Sequence, residues 1–137
     1  AVSLQTETKH HFSLSPEVDF SIAGYFTWFF ADLLLKKRMP FDVDVLKVDV
    51  PTGATRETPW RVTRQSRQRY YTPMLGKADT ETGVRRIRFT LNTDHSKAEP
   101  DSDLRTLLVD NLVSVTPISL DMTSRVNIEE LQTLLES

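Results

Sequence analysis

The chain has 137 residues, with 17 Lys and Arg against 19 Asp and Glu and a formal net charge of −2. This length suits one domain with one core, and the 39% apolar and 26% charged content is ordinary for a globular protein. The absence of a basic excess gives no overall support for nucleic-acid binding. The absence of cysteine excludes disulfides and thiolate metal sites, and it fits a reducing, cytoplasmic location.

The longest apolar run, residues 25–35, is interrupted by Asp32 and is shorter than the roughly 20 residues that a membrane-spanning helix needs. No basic stretch followed by an apolar one predicts a signal peptide. The chain opens without methionine on residues 1–4, which have the pattern of a buried strand. We therefore expect a fragment of a longer protein.

A helix is predicted after the first strand, over residues 16–37. Ser15 supplies an N-cap hydroxyl, Pro16 suits the first helical position, and Glu17 places an acid in the first turn. Apolar residues cover more than one stripe of this helix, so we expect it to be buried on much of its circumference and to pack against protein that lies outside the chain.

Alternation with period two predicts strands at residues 43–50 and 60–65, with Pro51 ending the first. The following segment is predicted to form a long hairpin, with arms at residues 67–72 and 84–91 and a polar tip at residues 76–83.

The last third of the chain predicts two helices around a strand. Ser102 and Asp103 are predicted to cap a short helix that ends near Asn111. A final strand is expected at residues 113–115, with Pro117 ending its pairing. Asn127 is predicted to cap a last amphipathic helix over residues 128–135, which has four apolar residues on one face: Ile128, Leu131, Leu134 and Leu135.

His10 and His11 form the one histidine pair of the sequence. A metal site usually needs three or four converging ligands, and the only acid near the pair is Glu7, so we favour a solvated loop over a metal site. The alternative is a role at the rim of a phosphate site, since imidazole donors suit phosphate oxygens.

Basic and aromatic residues alternate along residues 60–71 and 85–89. Such a hairpin can bind single-stranded nucleic acid. It can also be an exposed hairpin with charged edges or a subunit contact rich in Arg and Tyr. The slightly negative net charge disfavours nucleic acid.

Asp42, Asp44 and Asp49 could bind Mg²⁺ or act as acids and bases, but on an alternating strand we interpret them as a solvated face. The sequence contains neither a glycine-rich phosphate loop nor a GxSxG nucleophile elbow. Catalysis by this chain alone is therefore poorly supported.

Five segments, in order, resemble one family. Residues 113–118, followed by Leu120, Asp121 and Thr123, resemble the SVTPL…DLT ending of the SurE family of survival-protein nucleotidases. Residues 45–51 resemble its LLNVNVP, and residues 61–70 resemble its VTRLGRRRY. Residues 1–4, with Asp19, Phe20 and Ala23, resemble its AISL…DF…A, and Ser102-Asp103 stand where the family has TD.

The chain also departs from the family pattern. Lys47 and Asp49 replace two asparagines of NVNVP, and Asn111 replaces a usual glycine. The family's paired metal-binding aspartates, its SG serine and its GxNxG asparagine all precede the position where this chain begins. The resemblance therefore assigns no catalytic, cofactor-binding or metal-binding residue here.

The resemblance implies a Rossmann-like α/β fold, of which this chain would be the C-terminal part. Residues 1–66 would supply sheet strands and the long helix, and residues 67–92 a protruding hairpin. Residues 93–137 would supply a short helix, the closing strand and a tail exchanged between subunits.

The implied activity is that of an acid-phosphatase-like phosphomonoesterase acting on nucleoside 5′- and 3′-monophosphates. It would depend on a divalent ion, Mg or Mn, that residues of this chain do not bind. A homodimer or homotetramer is expected, with no membrane partner and no nucleic acid. The expected subunit contacts are Arg67, Arg69, Tyr70, Tyr71, Arg86, Arg88, Phe89 and Leu131. The alternatives are an inactive oligomerisation module and a basic-hairpin nucleic-acid binder.

Overall fold

The computed structural model describes residues 1–10, 15–92 and 94–136. The strands are β1 (Val2–Leu4), β2 (Val45–Val50), β3 (Trp60–Val62), β4 (Tyr71–Ala78), β5 (Arg85–Leu91) and β6 (Val113–Ile118). The α-helices are α1 (Ser21–Lys36), α2 (Asp103–Leu108) and α3 (Ile128–Leu135), and a single 3-10 turn covers Thr8–His10. The mixed α/β class predicted from the sequence is confirmed.

Four strands form a mixed sheet in the order β1-β2-β6-β3. β1 and β2 are parallel, with Val2 opposite Val48 and Leu4 opposite Val50. β6 runs antiparallel to β2 and parallel to β3. Helix α1 connects the two parallel strands, which forms a βαβ unit, the usual way to join parallel neighbours.

The core lies between α1 and the apolar face of this sheet. Phe26 and Phe30 of α1 are buried against four valines, Val48 and Val50 of β2 and Val113 and Val115 of β6. Strands of this chain therefore receive one face of the helix, and its expected packing against protein outside the chain stays a prediction. Much of its surface is nevertheless uncovered, since the side chains of Trp28 and Leu35 are exposed.

The predicted start of this helix is also wrong. Ser15 does not cap it; its hydroxyl accepts from the Glu17 N–H in a separate turn. The helical ladder begins with Gly24 N–H donating to the Phe20 carbonyl, and the Asp19 carboxylate accepts from Ser21 N–H at 2.8 Å. An Asx-type bond just before the helix has thus replaced the predicted cap.

The opposite face of the sheet is polar, and its centre, at Asp49 and Ser114, is buried. Ser3, Asp49, Ser114 and Arg61 lie opposite one another in register on its four strands. Helix α2 packs over β6 and β2 on this side. The Thr63 hydroxyl lies 2.8 Å from that of Ser114 and 2.9 Å from that of Thr116, and all three residues are buried.

The closing strand is longer than predicted. It continues through Pro117, which lies opposite Leu46 of β2, to Ile118. Pairing with β3 stops at Val115, so a proline beyond that point interrupts no bond to β3. The strand predicted at residues 60–65 is shorter than expected and ends at Val62.

The predicted hairpin is confirmed, but it lies further along the chain. β4 and β5 form a two-stranded sheet of their own. The first arm begins at Tyr71, not at residue 67, and includes residues 76–78 that the sequence assigned to the tip. A Cβ at Gly76 would lie 2.8 Å from the Arg86 carbonyl oxygen, so the strands approach too closely there for a larger residue.

Both predicted caps near the end of the chain are confirmed. The Ser102 hydroxyl accepts from Arg105 N–H, and the Asn127 side chain accepts from the N–H groups of Glu129 and Glu130. Asn111 follows α2 with a positive φ of 54°. None of the described helices combines the length and the hydropathy that crossing a bilayer requires.

Candidate functional site

A cleft of about 580 Å³ opens at the carboxyl ends of β1 and β2. Its walls are the segments that follow these strands, residues 4–10 and 52–57, and the start of α1. Parallel strands that end at one edge of an α/β sheet form the usual position for a ligand. This cleft is therefore the candidate functional site.

Hydrogen bonds tie the two loops of the cleft together. Gln5 N–H donates to the Val50 carbonyl at 2.9 Å, and the Thr52 hydroxyl donates to the Gln5 carbonyl at 2.8 Å. Thr52 N–H also donates to the Gln5 side-chain oxygen at 3.2 Å. The chain then reverses at Gly53, whose φ of +75° favours glycine. The cleft floor is thus held by one backbone–backbone bond and two bonds between a side chain and the backbone.

Carboxylates dominate the charge of the cleft. Glu7, Glu17, Asp19 and Glu57 line it, whereas Arg56 is the one permanent cation among the described lining residues. Hydrogen bonds from Ser21 hold the pKa of Asp19 below its usual value. A bond to the Thr55 hydroxyl likewise lowers the pKa of Glu57, so both groups are charged at neutral pH.

His10, for which the rim of a phosphate site was the alternative interpretation, lies in the lining of this cleft. Its Nε2 is 3.7 Å from a Glu17 carboxylate oxygen, and its side chain is only 12% exposed. The solvated-loop interpretation therefore does not describe His10. His11 lies outside the described residues.

The divalent ion implied by the family resemblance needs a converging set of ligands. Among residues 1–10, 15–92 and 94–136, no group of three His, Cys, Asp or Glu side chains could hold a metal ion. The described residues therefore do not fit the ion, and we assign no step through it here.

A second, smaller cavity of about 290 Å³ adjoins the cleft. Tyr25, Phe26 and Phe29 of α1 form one wall, and residues 56–60 form the other. Arg56 and Glu57 line both cavities. The Arg56 guanidinium carbon lies 5.3 Å from the centre of the Tyr25 ring, a cation–π contact.

Asp49 does not lie on a solvated face, so that interpretation is wrong. It is 8% exposed, and its carboxylate accepts from the Ser3 hydroxyl at 2.7 Å and pairs with the Lys47 ammonium at 2.8 Å. Lys47 also pairs with Asp103, at 2.7 Å. The prediction of a solvated face was wrong because α2 packs over this face. Period-two alternation along one strand does not show which other element covers it.

Asp42 and Asp44 anchor the chain after β6 and lie apart from the cleft. The Asp42 carboxylate accepts from the Ser119 hydroxyl and pairs with Arg125, both at 2.6 Å. Asp44 accepts from Leu120 N–H at 2.8 Å. Both carboxylates therefore have structural partners.

The expected subunit contacts fall into three groups. Arg67, Arg69 and the half-buried Tyr70 precede the hairpin, and Tyr70 packs edge-on against Tyr71 at 4.8 Å. Tyr71 and Phe89 share one face of the hairpin, whereas Arg86 and Arg88 lie on the other. Leu131 lies on α3, which buries no residue.

Sequence reasoning missed the aromatic cavity and Arg56. Tyr25 and Phe29 follow the pattern of core residues on a helix, and Arg56 lies in a segment predicted only as a turn. The local sequence offers only an arginine and a glutamate within a turn, and this pair is common on protein surfaces.

Comparisons with known proteins add a relationship to this geometry. No family model matches the chain. It is 35% identical over 135 residues to the 5'-nucleotidase SurE of Thermococcus kodakarensis, covering 98% of this chain and 51% of that protein. It is 30% identical over 129 residues to the protein of the same name from Archaeoglobus fulgidus, covering 94% and 48%.

A solved structure agrees with the fold. The crystal structure of the SurE protein from Aquifex aeolicus superposes with a TM-score of 0.66 at 24% identity, covering 98% of this chain and 50% of that one. The chain spans about half the length of the curated relatives it matches.

Proposed function

The chain belongs to the SurE family, and from that premise we propose that it is the C-terminal half of a phosphatase that hydrolyses nucleoside 5′- and 3′-monophosphates. The observation that carries the proposal is the 35% identity to a 5'-nucleotidase SurE over 98% of the chain. The proposal includes a divalent ion, Mg or Mn, held by the preceding half, and a cytoplasmic location.

Within this proposal, the cleft at the ends of β1 and β2 forms one side of the substrate site. Arg56 supplies a permanent positive charge for a phosphate or a base, and His10 supplies a ring nitrogen. The four carboxylates would repel the dianionic phosphate of the substrate when no cation is bound to it. The substrate phosphate therefore needs a cation from outside the described residues, in agreement with a metal held by the preceding half.

Phosphate release from nucleoside monophosphates tests the proposal. The longer protein, which includes the preceding half, is incubated with each 5′- and 3′-monophosphate, with and without EDTA. We expect nucleoside and inorganic phosphate, both abolished by EDTA. A protein that leaves every monophosphate intact with Mg²⁺ and with Mn²⁺ would remove the proposal.

We also propose that the chain assembles with copies of itself through the hairpin and α3. Pairs opposite in register place six apolar side chains on one hairpin face: Tyr71, Pro73, Leu75, Ile87, Phe89 and Leu91. An isolated two-stranded hairpin is at best marginally stable in water, and contiguous exposed apolar patches mark interaction sites. This face is the surface that a partner copy would cover.

Helix α3 supports the same proposal. Ile128, Leu131, Leu134 and Leu135 are all exposed. A helix of eight residues is too short to be stable without packing. A second copy that receives this exposed stripe would supply such packing.

A further inference from the structure

We propose that the aromatic cavity between α1 and residues 56–60 binds the base of the nucleoside monophosphate, while the phosphate end lies in the adjoining cleft. This inference rests on the proposed function and names where the substrate's base is recognised. No part of it depends on the metal.

The walls of the cavity suit a flat ring. Tyr25 and Phe29 lie within 22° of parallel, with ring centres 6.3 Å apart. Trp60 lies in the lining and is 45% exposed, so one of the largest aromatic surfaces of the chain borders open space. Bases stack on aromatic side chains and on arginine guanidinium planes.

The polar groups at the mouth suit a base edge. The Glu57 carboxylate is ionised, and a carboxylate accepts from exocyclic amino groups such as N4 of cytosine. The Arg56 guanidinium is already held over one ring of the wall. A base bound in the cavity would stack on an aromatic surface and donate to the Glu57 carboxylate. This combination favours a base that carries an amino group.

The two cavities are neighbours, because Arg56 and Glu57 line both of them. The larger cavity, about 580 Å³, lies at the strand ends, where phosphates bind in folds of this class. The smaller cavity is apolar on its helix side. A nucleotide has the same division into a charged end and a flat, weakly polar end.

Fluorescence of Trp60 tests this directly, because the sequence has only two tryptophans, Trp28 and Trp60. Trp28 is exposed, so Trp28→Phe leaves Trp60 as the single reporter at little cost to the fold. The variant is titrated with adenosine, cytidine, ribose 5-phosphate and a short RNA. We expect saturable quenching by both nucleosides and none by ribose 5-phosphate.

Two cavity variants in the same background locate the binding. Tyr25→Leu and Phe29→Leu keep apolar volume but remove a stacking ring, and each should weaken nucleoside binding about tenfold. Phe41→Leu is the matched control, since Phe41 is fully exposed elsewhere. Using two variants keeps the test valid if one fails to fold, as shown by its circular dichroism.

Three results would overturn the inference: no quenching by nucleosides, equal quenching by ribose 5-phosphate, or quenching by RNA alone. The binding titration needs no hydrolysis, so its failure is separate from a failure of the proposed phosphatase. In the longer protein, Tyr25→Leu should raise KM for AMP about tenfold and leave KM for ribose 5-phosphate unchanged.

Discussion

The ammonium of Lys47 on β2 lies 2.7 Å from the Asp103 carboxylate at the start of α2. This contact fastens the short helix to the polar face of the sheet. Asp103 is 6% exposed, and its other carboxylate oxygen accepts from the backbone N–H of Ser66 and Leu104. The side chain of Lys47, which also pairs with Asp49, is therefore shared by two buried carboxylates.

Lys47→Met should destabilise the fold by roughly 2–3 kcal/mol. Removing one partner of a fully buried pair costs roughly 3–5 kcal/mol, and the cost is smaller here because the Lys47 side chain is 41% exposed. The free energy of unfolding in urea measures the effect. Lys36→Met is the control: its pair with Asp32 is exposed, so a loss below about 0.5 kcal/mol is expected. Equal losses in both variants would contradict the account.

The same pairs make stability fall at alkaline pH. Burial alone would lower the pKa of Lys47, but hydrogen bonds and charges from Asp103 and Asp49 outweigh it and raise that pKa above 10.5. The contribution is complete below 10.5, where the unfolded chain also holds the proton. It is lost as the pH rises from there through the folded-state pKa. Urea unfolding from about pH 9 upward should show a steeper loss in the wild type than in Lys47→Met; parallel curves would refute this.

Thr63→Val should cost about 1–3 kcal/mol, because it removes the shared partner of the buried Ser114 and Thr116 hydroxyls. Thermal or urea unfolding measures the loss. Thr72→Val on the exposed hairpin is the matched control and should stay within about 0.5 kcal/mol. A neutral Thr63→Val would mean that the hydroxyl cluster adds nothing to stability.

Leu131→Glu should dissociate the proposed assembly, since it places a charge in the apolar stripe of α3. Sedimentation velocity should show a shift toward monomer at protein concentrations where the wild type is associated. Gln132→Arg is the control: it adds a charge at the neighbouring position, keeps a donor toward Glu136 and should leave the association state unchanged. A wild-type protein that is monomeric at every concentration would end the assembly proposal.

The sequence predicted those strands, caps and turns whose formation depends on neighbouring residues. It predicted a strand at residues 43–50, which the structure begins at Val45, as well as the caps at Ser102 and Asn127 and the hairpin. The burial of Asp49 was not predicted, because it depends on α2, far along the chain. The start of α1 was missed because Ser15 and Pro16 have the pattern of a helix start, whereas the bond that precedes the helix is made by Asp19. The length of β6 was underestimated because Pro117 lies beyond Val115, where pairing with β3 ends.

The candidate site was predicted only in part. The favoured interpretation of His10 was a solvated loop and the alternative was the rim of a phosphate site; it lies in the cleft lining, and the phosphate role stays a prediction. The aromatic cavity brings Tyr25 of α1 together with Arg56 of the segment between β2 and β3, and no spacing rule connects those two residues. Packing of the loop against the helix creates the cavity.

Phosphate release by two protein forms tests the central claim most directly. The 137-residue chain and the longer protein with the preceding half are assayed side by side on AMP with Mg²⁺ or Mn²⁺. The account predicts EDTA-sensitive release by the longer protein and none by the chain alone. Release by the chain alone, or an inactive longer protein, would contradict it.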